Sequence, residues 1–170
     1  MQITSIQLFR YSIPMVPFTI ATGTMDFAQN MLVIIHTSEG ITGYGECSAF
    51  PMIVGETQAT CYEMGKAFAS ILKYKDPLAI EARMQELDSF TARNYTAKSA
   101  FDIALHDIAA KAANKPLYAY LGGSVKKIVS DLTIGIDSPT NMAAQAIEFV
   151  QQNVATIKVK LGKDPNCHWQ

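Results

Sequence analysis

Between Leu132 and Leu161 the chain reads as strand, helix and strand within about thirty residues, a unit that leaves few choices of fold. Leu132 to Ile136 is strand-like, and Ser138-Pro139 supplies a helix N-cap with proline at the first helical position. Met142, Ala146, Phe149 and Val150 line one face of that helix, and Ala155 to Leu161 is the next strand. A crossover helix between two strands makes parallel pairing the expectation. Parallel sheets are covered on both faces and want more strands than two. A new domain is therefore expected from about residue 130.

The residues before it open with strands and continue in helices. Ile3 to Ile13 reads as a strand ended by Pro14, whose missing amide interrupts a ladder, and Pro17 to Gln29 shows no sustained period and is expected to be a loop. Met31 to Thr37, the turn Ser38-Glu39-Gly40 and Ile41 to Glu46 form a hairpin, which completes a three-stranded antiparallel sheet. Cys47 to Gly55 reads as a second loop. Phe50, Pro51, Met52 and Ile53 make it unusually apolar, as a loop that covers something would be. Helical spacing follows from Glu56 to Lys73 and from Pro77 to Phe90. A third helix is the clearest: Ala100, Phe101, Ala104, Leu105, Ile108 and Ala109 fall on one face, with Asp107 and Lys111 as an i,i+4 ion pair.

Nearly half of the residues are hydrophobic, enough for a packed core, and 14 basic against 15 acidic side chains give a net charge of -1. That balance lacks the basic stripe of nucleic-acid binding, so no nucleic-acid partner is expected. The longest strongly apolar run, Met31 to Ile35, is far below the roughly 20 residues of a membrane-spanning helix, so no membrane partner is expected either. Cys47, Cys61 and Cys167 are odd in number and lack a C-x-x-C spacing, which points to reduced thiols. Without a signal-peptide pattern at the N-terminus, the expected location is cytoplasmic.

In a strand, residues two apart share a face, so Lys158 and Lys160 point one way and Ile157, Val159 and Leu161 the other. Two ammonium groups held close disfavour each other's charge, and burial adds to this, favouring the neutral amine that a general base must be. A solvated face on an edge strand explains the same spacing equally well.

The run Ala97-Lys98-Ser99-Ala100-Phe101-Asp102-Ile103-Ala104-Leu105-His106-Asp107-Ile108-Ala109-Ala110-Lys111, then Asn114-Lys115-Pro116-Leu117-Tyr118-Ala119-Tyr120-Leu121-Gly122-Gly123, closely resembles the signature of the mandelate racemase and muconate lactonizing enzymes of the enolase superfamily. Gly43-Tyr44-Gly45-Glu46 and Ile157-Lys158-Val159-Lys160 agree with it in order and spacing. The resemblance implies an α+β capping domain over residues 1–129, then the start of a TIM-type (β/α) barrel over 130–170, cut after its second strand. It also implies removal of the proton α to a carboxylate, with Lys160 as base and Lys158 tuning it and contacting the developing charge.

Within the superfamily, the segment from Ser48 to Thr57 and the strand from Leu132 to Ile136 look most like dipeptide epimerases, such as those acting on L-Ala-D/L-Glu. That likeness places Phe18 and Ile53 on cap loops over a dipeptide substrate and Thr133 beside it at the barrel mouth. Some relatives with an acidic dipeptide carry arginine where this chain has Gly23, so an apolar dipeptide is as open as an acidic one, and the apolar loop leans toward the former. Muconate cycloisomerase and o-succinylbenzoate synthase chemistry is the alternative in the same superfamily, and a non-catalytic remnant or association domain is the alternative outside it.

The family's Mg²⁺ carboxylates come from later barrel strands, so Mg²⁺ is expected in the complete enzyme with its ligands outside this chain. The residues after Gly162 read as a truncated or frame-shifted tail, and Cys167 with His168 is weak evidence for a metal. A fragment so cut is expected to be inactive alone. Its unpaired strand edges and apolar face are expected to drive association, as a homo-oligomer.

Overall fold

A computed structural model describes residues 1–162 of the chain, so Cys167 and His168 lie outside the described residues. Its contacts group into two units. One comprises Met1–Ile13 and Ala28–Ser124; the other comprises Pro14–Phe27 and the residues from Val125 on.

The first unit is built on a sheet of three strands, β1 (Ile3–Ile20), β2 (Gly23–Thr37) and β3 (Thr42–Ala49), in that order. β2 and β3 pair antiparallel, with Val33 opposite Gly45 and His36 opposite Thr42. The period of two is plain in the burial: Met31, Val33 and Ile35 of β2 and Cys47 and Ala49 of β3 are buried. The helices are α1 (Pro51–Val54), α2 (Gln58–Leu72), α3 (Ile80–Phe90), α4 (Tyr95–Ala112) and α5 (Leu117–Tyr120). Phe68 of α2 and Phe101 of α4 are fully buried and meet edge to face at 5.6 Å between ring centroids. Burial of side chains this large stabilises by about 1.5–3 kcal/mol each.

α4 lies directly on β3, and glycine permits the approach. A Cβ on Gly45 would stand 1.8 Å from the Ala100 carbonyl oxygen, and one on Gly43 would stand 2.3 Å from that of Ala104. Polar groups complete the seam: the Tyr44 N–H donates to Asp107 Oδ2 at 2.9 Å, and Lys111 Nζ donates to the Thr42 carbonyl and to Asp107 Oδ2, each at 2.7 Å. The stripe expected on this helix, Ala100, Phe101, Ala104, Leu105, Ile108 and Ala109, is buried throughout.

The start of α4 is secured from a distance. Asn94 before it has a positive φ of 53° and makes no side-chain cap bond, so the first amides need another acceptor. The Glu56 carboxylate accepts from the Thr96 N–H at 3.0 Å and the Ala97 N–H at 3.3 Å. A negative charge there also suits the helix dipole.

Several boundaries differ from the sequence expectation. β1 does not end at Pro14 but continues through Pro14 and Pro17, and the expected loop of residues 17–29 is mostly strand around a short turn at Ala21-Thr22. β1 is an edge strand, so a proline there can turn its missing N–H away from the ladder. From Pro14 to Phe27 every residue is exposed or half-buried, so no hydrophobic period marks it. The expected loop from Cys47 to Gly55 is strand as far as Ala49 and then the helical turn α1. α2 starts at Gln58, where Thr57 and Thr60 exchange a capping box, and α3 starts at Ile80.

The second unit contains β4 (Leu132–Ile134), α6 (Pro139–Gln151) and β5 (Ile157–Val159). The two strands are parallel, pairing Leu132 with Ile157, Thr133 with Lys158 and Ile134 with Val159. Ser138 caps α6 through its hydroxyl, which accepts the Asn141 N–H at 3.2 Å. The expected strand, helix, strand unit is therefore present, with strands shorter than the sequence pattern implied.

Candidate active site

In a parallel pair, residues opposite each other project to the same side of the sheet, so Thr133 and Lys158 share a face. Lys160, two residues on, shares it too, and its backbone is held by an N–H bond to the Ile134 carbonyl at 3.0 Å. The other face carries Leu132, Ile134, Ile157 and Val159, of which Ile134 is buried and α6 packs over β4. The alternation read from sequence thus sets a hydroxyl and two amines on one side of β4 and β5. Lys158 is exposed and Lys160 half-buried. Neither ammonium group makes an ion pair among the described residues.

The tip of the β1–β2 hairpin belongs to the same unit and docks on the residues after β4. The Ile136 N–H donates to the Thr19 carbonyl at 2.9 Å, and a Cβ on Gly135 would meet Thr19 N at 3.3 Å and the Phe18 ring at 3.4 Å. Gly135 is what lets the hairpin lie so close. Thr19 and Thr24 share a hydroxyl hydrogen bond of 2.9 Å across the hairpin. A cavity of about 650 Å³ runs from Phe18 and Thr19, past Thr133 and Gly135, to Gln145 and Phe149 of α6. Phe18 and Thr133 are therefore brought together, while the two lysines do not line this cavity. Ile53 sits in the first unit on α1, two-thirds exposed.

Sequence reasoning missed Thr19 and Gly135. Nothing in the sequence singles out Thr19, which acts through its backbone, but a lone glycine inside a strand pattern is a known sign of close backbone approach. Among the described residues no three His, Cys, Asp or Glu side chains converge on a point, so those residues do not themselves fit a Mg²⁺ site. His106 bonds the Asp102 carbonyl at 3.0 Å, and His36 bonds Thr42 on the strand surface at 3.1 Å. Both are structural partners.

Comparison with known proteins bears on this geometry directly. Residues 3–122 match the mandelate racemase / muconate lactonizing enzyme N-terminal domain. The chain is 41% identical over 164 residues to a D-Ala-D/L-Ala epimerase of Cytophaga hutchinsonii, covering 95% of this chain and 45% of that protein. It is 39% identical over 145 residues to a hydrophobic dipeptide epimerase of Enterococcus faecalis, covering 85% of this chain and 41% of that one. The crystal structure of the dipeptide epimerase from Cytophaga hutchinsonii, complexed with Mg and the dipeptide D-Ala-L-Val, superposes with a TM-score of 0.96 at 40% identity, covering 98% of this chain and 46% of that one. The chain thus spans about half the length of the curated relatives it matches. The helix signature, its glycine-lined seat on β3 and the matched domain lead to one conclusion: this chain belongs to the mandelate racemase / muconate lactonizing enzyme family.

Proposed function

We propose that the chain is the N-terminal part of a dipeptide epimerase that removes the proton α to the substrate carboxylate, with Lys160 as the base. The observation that carries this is the shared face of Thr133, Lys158 and Lys160 on a parallel pair, in a chain 41% identical to an epimerase. In the step assigned to Lys160, the α C–H bond breaks and an N–H bond forms on its Nζ. Lys158, two residues away on the same face, places a second positive charge where negative charge develops. Thr133, directly opposite Lys158, offers a hydroxyl to the substrate at the strand end. Phe18, which lines the same cavity as Thr133, is assigned to the wall around the substrate side chain.

An apolar dipeptide is the favoured substrate. Support comes from Gly23, which supplies no cation for an acidic side chain, from the apolar α1 residues Met52, Ile53 and Val54, and from the two relatives named above. Mg²⁺ accompanies the dipeptide in the Cytophaga hutchinsonii structure. Its ligands here belong to residues outside those described, and no step is assigned to it. The same reading makes the protein cytoplasmic and self-associating. Its support is the pair of unbridged thiols and the exposed apolar side chains of Val125, Ile128 and Val129.

Epimerisation also needs an acid on the opposite side of the substrate carbon, which the described residues do not supply. The 170-residue chain alone is therefore expected to leave alanyl-valine unchanged in the presence of Mg²⁺, as measured by circular dichroism. Joined to the remaining residues of the Cytophaga hutchinsonii epimerase, it is expected to epimerise alanyl-valine at least about tenfold faster than alanyl-glutamate. A preference for alanyl-glutamate would overturn the apolar assignment.

A further inference from the structure

Within the second unit, two consecutive residues hold the tip of the β1–β2 hairpin in two different ways. Ile136 donates its N–H to the Thr19 carbonyl at 2.9 Å, and Gly135 leaves free the space that the tip fills. Gly135 does not lie in the left-handed region, so its own backbone does not call for glycine. Its neighbours do. A Cβ there would stand 3.3 Å from Thr19 N, 3.4 Å from the Thr19 carbonyl oxygen and 3.4 Å from the Phe18 ring, so Thr19 would have to give by a few tenths of an ångström. Two of those three atoms are backbone, which no change of rotamer moves aside. The tip has few other restraints: every residue from Pro14 to Phe27 is exposed or half-buried, and the Thr19 and Thr24 hydroxyls share one hydrogen bond of 2.9 Å. A displacement at Gly135 is therefore passed on to Phe18. Phe18 lines one cavity with Thr133 and Gly135, which stand two residues apart.

We propose that Gly135 is a positioning residue for substrate selection: its missing side chain fixes how closely Phe18 seats beside Thr133, and with that how well the cavity wall fits the apolar side chain of a dipeptide. This rests on the assignment of the cavity to the substrate. Gly135 touches no reacting atom and acts through Phe18. A methyl group at position 135 moves the Phe18–Thr19 tip outward and lengthens the bond from Ile136. Apolar contact is sensitive on this scale, since a gap of about 0.5–1 Å already forfeits a quarter to a half of the attraction. A valine side chain, long enough to meet the ring, loses contact, whereas an alanine side chain has less to lose. Lys158 and Lys160 do not line the cavity, so the loss falls on binding rather than on the proton transfer assigned to Lys160.

The seat is tested first in the full chain, by following deuterium exchange of single amides by NMR in the parent and in Gly135→Ala, each folded as judged by circular dichroism. The Ile136 amide is expected to exchange at least about threefold faster in the variant. The Met142 and Lys160 amides, bonded to the Ser138 and Ile134 carbonyls, are expected to keep their parent rates. Selection is then read in the chain joined to the remaining residues of the Cytophaga hutchinsonii epimerase. There Gly135→Ala is expected to raise KM for alanyl-valine about three- to tenfold while kcat changes less than about twofold, and to lower the preference for alanyl-valine over alanyl-alanine at least about threefold. Thr24→Val cuts the hydroxyl bond across the tip and adds nothing at position 135. It is expected to shift the preference the same way, which keeps the test open should Gly135→Ala not fold. Parent-like exchange of Ile136 in Gly135→Ala, a loss in kcat alone, or an unchanged preference in the folded variants would overturn the role of Gly135 and leave the epimerase reading in place. A parent fusion that epimerises neither dipeptide would instead overturn the epimerase reading, and the selection built on it, whatever Ile136 shows.

Discussion

Gly45 shows how much a single residue can be asked to do. Its hydrogen sits where any Cβ would collide with the Ala100 carbonyl, a backbone atom that cannot swing aside. Gly45→Ala is expected to force β3 and α4 apart and to cost about 1–3 kcal/mol or more, read as a lower urea midpoint with an unchanged slope. Glu56 is a second such position. Removing its carboxylate as Glu56→Ala leaves the Thr96 and Ala97 amides without their acceptor, and loss of a helix cap costs about 1 kcal/mol. The alternation of Lys158 and Lys160 was legible in the sequence because a strand's period is fixed by its own geometry. Gly45 entered the sequence reading only as part of the Gly43-Tyr44-Gly45-Glu46 motif, since the neighbour that explains it lies more than fifty residues away in the chain. The role of Glu56 was not legible at all, because the helix it caps starts forty residues later.

At the scale of elements, the long helices came through clearly and the distal part of the β1–β2 hairpin did not. α4 has one apolar stripe against a packed sheet, so its period survives in the sequence. The distal part of β1 and β2 faces no core on either side, and its prolines imitate a loop. Among the connections, the segment between α2 and α3 is tied to α3 by charge: Lys75 and Arg83 bond Glu86 at 2.9 Å each. Partial burial pushes the Glu86 carboxyl up, but the bonds from Lys75 and Arg83 outweigh it and hold the group below the usual carboxylate range. A carboxyl depressed on folding adds stability above its unfolded value, about 4.3, and loses it as the pH falls through the lower folded value. Glu86→Gln is therefore expected to melt below the parent protein at neutral pH, and the gap is expected to close as the pH drops below 4.3. An equal gap at both ends of a pH series of melting curves would contradict that origin.

At the scale of the molecule, two units divide the work. The first packs three strands against α2 to α5 around Phe68 and Phe101, and the second is one parallel strand pair with its crossover helix and the docked hairpin tip. The second unit carries the proposed base, and the matched proteins are about twice as long as this chain. Activity is accordingly a property expected of a full-length protein and is best measured there. The decisive measurement is deuterium uptake at the α-carbon next to the carboxylate of alanyl-valine, by residues 1–162 joined to the remaining residues of the Cytophaga hutchinsonii epimerase. With Lys160 in place, exchange is predicted, and Lys160→Ala in an equally folded protein is predicted to slow it by about 10²- to 10⁴-fold. Exchange at the parent rate in the Lys160→Ala protein would contradict the assignment of Lys160 as the base.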